Sequence, residues 1–129
     1  MSKMKNLRPW LEFFELLQRC EEKGFLEVLP HKREAYITQP ALHALTPGDD
    51  PQKQVEDGSI LETVTRIRAY CAWKGEMGNE YFTKPFALNV VKDDAPHELL
   101  YTLLVDTHRN WLGRRKDFLE VFDYSIHGK

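Results

Sequence analysis

One segment constrains the fold more than any other. Trp10, Phe13, Phe14, Leu17 and Cys20 recur at steps of three and four, with Leu11 and Leu16 widening the stripe. Glu12, Glu15, Gln18, Arg19, Glu21 and Glu22 fill the opposite side. Pro9 suits a first helical turn, and Lys23-Gly24 supplies a stop. The pattern predicts an amphipathic helix of about four turns. Such a helix must bury its apolar stripe against something else, so it fixes one layer of a two-layer domain.

The next segment supplies part of the second layer. Residues 25–29 and 34–38 are β-prone and flank a polar link, Pro30-His31-Lys32-Arg33, so they read as a hairpin. Thr38 followed by Pro40 predicts a brief capped helix over 41–45. Residues 46–58, TPGDDPQKQVEDG, contain one apolar residue and read as a mobile loop.

Two later segments are ambiguous. Ser59-Ile60-Leu61-Glu62 is a capping box, which favours a helix. Yet Ile60, Thr63, Val64, Thr65 and Ile67 are β-branched, and 61–73 also alternates. A long hairpin pairing 60–73 with 81–91 accounts for both flanks, and strand is the preferred reading. Residues 99–105, LLYTLLV, fit either element; as a strand, such a run is expected to be buried on both faces. The predicted fold is α+β, a single domain over 1–129, with the N-terminal helix packed on a curved antiparallel sheet.

A chain of 129 residues buries about two-thirds of its unfolded surface and needs no metal or disulfide staple. Eighteen cationic against twenty acidic side chains give −2, which argues against a general polyanion binder. The net charge is +1 over 1–48, −4 over 49–100 and +1 over 101–129. Cys20 and Cys71 sit in apolar surroundings and are expected to be buried thiols. No apolar run reaches membrane-span length and no signal-peptide core appears, so the expected location is cytoplasmic with no membrane partner.

Chemical signatures are sparse. The five histidines lack metal-binding spacing, and on one helix His97 and His108 would lie about 16 Å apart. No metal or cofactor is expected. The absence of nucleophile and phosphate motifs favours a non-enzymatic binding or protein-interaction module, pairing with itself as a homodimer or with another protein. Tyr70, Trp73, Arg109 and Trp111 are its candidate contact residues. A second reading is a nucleic-acid-binding accessory protein. It would use Lys32 and Arg33 at a winged-helix-like hairpin tip, with Arg114, Arg115 and Lys116 in a basic turn. A third is a small pocket enzyme with Asp106 and His108 as its acid/base pair.

Overall fold

The computed structural model describes residues 8–78, 81, 83–93 and 98–105. Helix α1 (Arg8–Glu22) leads into β1 (Leu26–Leu29), a 3-10 turn (Pro30–Lys32) and β2 (Glu34–Thr38). Three helices follow, α2 (Gln39–Leu45), α3 (Pro51–Glu56) and α4 (Ser59–Lys74). Strands β3 (Phe86–Val91) and β4 (Leu99–Val105) complete a four-stranded sheet in chain order, β1-β2-β3-β4. The fold class is α+β. Among the described residues no helix is long and apolar enough to cross a membrane.

Helix α1 ends as its sequence dictates. Gly24 takes φ +81°, a conformation that costs a glycine nothing. This lets the Phe25 amide donate to Cys20 and the Gly24 amide to Glu21, so two terminal carbonyls are satisfied. Thr38 caps α2, its Oγ1 accepting from the Ala41 amide, with Pro40 in the first turn as expected.

The sheet departs from expectation at its centre. β1–β2 and β3–β4 pair antiparallel, but β2 and β3 run parallel. Parallel neighbours need a long crossover, and α2, α3 and α4 provide it. The expected hairpin of 60–73 with 81–91 is therefore absent, because 60–73 lies within α4. Ten α4 residues are buried, so the helix lacks a broad polar face. Its threonines keep helical geometry by donating back one turn, Thr63 to Ser59 and Thr65 to Leu61. The capping is also shifted. The Asp57 carboxylate, not Ser59, accepts at this end, from the Ser59 amide and hydroxyl, and these bonds lower the Asp57 pKa.

The core lies between the helices and one sheet face. Ala35, Ile37, Phe86, Leu88, Val90 and Val105 from the sheet meet Phe14 and Leu17 of α1 and Val64, Ile67 and Tyr70 of α4. Each large side chain here contributes about 1.5–3 kcal/mol by leaving water. The segment 46–58, expected as a mobile loop, contains α3 and a buried anchor, Gln54.

Gly75 closes the end of α4 for a packing reason. A Cβ there would lie 2.9 Å from Cγ of the Pro30 ring and closer still to its Cβ. A proline ring cannot swing away. Gly75→Ala is expected to cost about 1–3 kcal/mol, read as an earlier urea midpoint with unchanged slope.

Candidate functional site

The sheet's second face carries a polar row across three strands. Register places Tyr36, Asn89 and Thr102 side by side, with Glu34, Ala87 and Leu104 in the neighbouring row. Thr102 donates to Asn89 Oδ1 at 2.8 Å, and Asn89 Nδ2 donates to the Ala35 carbonyl at 3.3 Å. These bonds fix the asparagine amide within the sheet. Beside this row a cavity of about 460 Å³ is lined by Phe25, Glu27, Tyr36, Thr38, Val91 and Leu99, none of them helical. That volume falls within the usual range for ligand sites.

β4 borders this face and is its least covered element. Leu104 is 70% exposed, Leu99 54% and Tyr101 38%. The expectation that 99–105 would be buried on both faces is corrected. On its core side Val105 is buried, but Tyr101, opposite Val90, is exposed, and the other side exposes Leu99 and Leu104. A register shift between Val90 and Val91 leaves Leu100 as the extra residue. Among the described residues β4 pairs with β3 alone, so its outer edge has no strand beside it.

A second cavity of about 430 Å³ lies at the corner of α1 and α2, reaching Phe25 and Thr38. Phe25 and Thr38 line both cavities.

The expected contact residues fall as follows. Tyr70 and Trp73 stand three apart on α4 and not on a strand of the expected hairpin. Tyr70 is fully buried, and its ring packs edge-on to Phe14 at 5.4 Å, while half-buried Trp73 stacks on Phe14 at 5.1 Å. The Tyr70 hydroxyl donates to Glu21, which also pairs with Lys74 at 3.4 Å. Lys32 is exposed, whereas Arg33 is half-buried with φ +53°, closing the turn through its amide to Pro30. Asp106, His108, Arg109, Trp111, Arg114, Arg115 and Lys116 lie outside the described residues. Sequence reasoning missed Phe25, Tyr36, Asn89 and Leu104, because strand register alone brings Tyr36, Asn89 and Leu104 to one face and the turn after α1 sets Phe25 at the cavity beside it.

Buried acids set the alkaline limit of the fold. Burial pushes the Cys71 thiol up to about 11, an effect partly offset by a hydrogen bond with Tyr81. Burial likewise raises Tyr70 and Tyr81 above the usual tyrosine range, with Glu21 adding to the shift at Tyr70 and Cys71 at Tyr81. Raised acid pKa values mean that the folded state holds protons the unfolded chain would release. The Cys71 stabilisation is complete below pH 9 and is lost as pH climbs to 11, and the tyrosines begin to add to the loss only above pH 10. Cys71 alone predicts a fall of roughly 2–3 kcal/mol over that interval, measurable by urea unfolding at stepped pH. A flat profile from pH 9 to 11 would contradict it.

Among the described residues no group of three or more His, Cys, Asp or Glu side chains is placed to hold a metal ion. No family model, curated protein or solved structure matches the chain.

Proposed function

We propose that the protein is an interaction module that pairs with a second copy of itself along the edge of β4 that no described strand covers. One observation carries the reading: a seven-residue strand without a single charge exposes Leu99, Tyr101 and Leu104 at the margin of the sheet. Edge strands of monomers are usually protected by lysine, proline or cover, because open backbone groups recruit other strands. β4 carries neither lysine nor proline.

An uncharged antiparallel edge is self-complementary under a two-fold axis. An axis at Thr102, the middle residue, sets Leu104 of one copy opposite Leu100 of the other. The pairing joins the described sheets of the two copies into one continuous sheet. Burial of each exposed leucine contributes about 1.5–3 kcal/mol.

Light scattering tests this directly. The wild-type chain is expected at twice its 15.2 kDa mass, falling towards monomer on dilution. Leu104→Lys should be monomeric at concentrations where wild type is dimeric. Its fold should change little, because the side chain is already mostly in water, and its thermal midpoint reports this. A wild-type chain that stays monomeric at every concentration rules the reading out.

A further inference from the structure

The corner cavity between α1 and α2 differs in character from the β4 edge. Leu16, Arg19, Cys20 and Lys23 follow one another at three- and four-residue steps on a stripe of α1 beside the core stripe. Leu16 is 43% exposed, and Ala41 and Leu45 of α2 face it across the cavity. Two cations thus stand over an apolar floor. Arg19 and Lys23 make no ion pair with any described residue, so neither charge is neutralised by a described carboxylate. Asp93, also on the lining, does not pair with them. Both cations sit close enough to Cys20 to pull its thiol pKa down, against the larger raising effect of burial.

We propose that this corner is a binding site for a small anionic amphiphile, an apolar chain lying on Leu16, Ala41 and Leu45 with a singly charged anionic head between Arg19 and Lys23. Apolar lining supplies affinity and the paired cations fix orientation, the usual division of labour in small-molecule sites. The size favours a small molecule over a protein. Eleven residues line the cavity, against roughly 20–30 per side in a stable protein interface. Charge complementarity selects an anion over a cation or a neutral alcohol.

Cys20 reports occupancy whatever molecule fills the corner. The chain has two cysteines, and Cys71 is fully buried, so a thiol reagent meets Cys20 first. The probes are decanoate, decanol and decyltrimethylammonium, each below its micellar concentration, applied to the full chain. Decanoate at ten times its dissociation constant should slow Cys20 modification about tenfold. Decanol should bind roughly tenfold more weakly, and the cation should not protect. Arg19→Gln/Lys23→Gln should reduce decanoate to the level of decanol, and Ala44→Trp should fill the groove and abolish protection by every probe. Ala44 and both cations are exposed, and unchanged thermal midpoints will show that the variants fold. Equal protection by all three probes, no protection by any, or decanoate binding indifferent to the double substitution would overturn the proposal. So would protection by a glutamate-rich amphipathic peptide without protection by decanoate, which would assign the corner to a protein partner.

Discussion

Arg68→Ala is expected to lower the unfolding free energy by about 3–5 kcal/mol. Arg68 lies on α4 with no exposure at all, the largest fully buried side chain in the fold. Its guanidinium donates to the Lys84 carbonyl at 2.7 Å, tying the end of the crossover to the segment that enters β3. It also lies near Tyr81, whose pKa it pulls down against the stronger effect of burial. Truncation removes that hydrogen bond and leaves a cavity where the long stem ran. Arg68→Met separates the two causes. Methionine refills much of the volume but leaves the Lys84 carbonyl without this donor, so a smaller loss of about 1–3 kcal/mol is expected. Urea unfolding measures both, and a loss of about 3 kcal/mol corresponds to a thermal midpoint lower by roughly 10 °C. Equal stability of wild type and Arg68→Ala would contradict this account of α4.

Gln54 is the second site of large effect. It is 2% exposed, while every other residue of α3 is exposed. Its Nε2 donates towards the carbonyls of His43 at 3.2 Å, Thr46 at 2.9 Å and Gly48 at 2.9 Å, two hydrogens shared among three acceptors. With Nε2 occupied as donor, Oε1 accepts from His43 Nδ1 at 2.7 Å, which fixes the proton on that ring nitrogen. A six-residue helix has no independent stability, and this amide ties α3 to the carbonyls at the end of α2 and in the loop after it. Gln54→Ala should cost about 2–4 kcal/mol by stranding the carbonyls. Gln54→Glu should cost at least as much at neutral pH, because a carboxylate would face three carbonyl oxygens. That environment raises the carboxyl pKa in the fold, so the deficit should shrink as pH falls and the acid protonates. Hydrogen exchange of the amides in 52–57 should accelerate in both variants while the sheet stays protected. Uniform acceleration across the molecule, or none, would contradict the anchoring role.

The segments legible in the sequence are those where one side of an element faces water. Helix α1 buries Phe13, Phe14 and Leu17 and exposes Glu12, Glu15 and Gln18, so its period is plain. The β1–β2 hairpin and the Thr38 cap rest on local turn chemistry, which needs no tertiary information. α4 is not legible in this way, because burial on most sides erases its period and leaves β-branched residues as the visible signal. Tertiary packing overrides their propensity. The parallel β2–β3 pair is hidden for the same reason, since a strand at 60–73 leaves no crossover to make it. In 46–58 the decisive residue is Gln54, a polar side chain whose burial depends on three carbonyls brought together by the fold. The candidate site is not legible at all. Tyr36, Asn89 and Thr102 lie far apart along the chain and meet only through register.

The claim that β4 is an interface between two copies has one most direct test. Hydrogen exchange should be followed for 99–105 across a wide range of protein concentration. Amides on the outer edge of β4, those not bonded to β3, should become protected as concentration rises and lose protection in Leu104→Lys. Rapid exchange of those amides at every concentration, beside steady protection of the β3-facing ones, would contradict it.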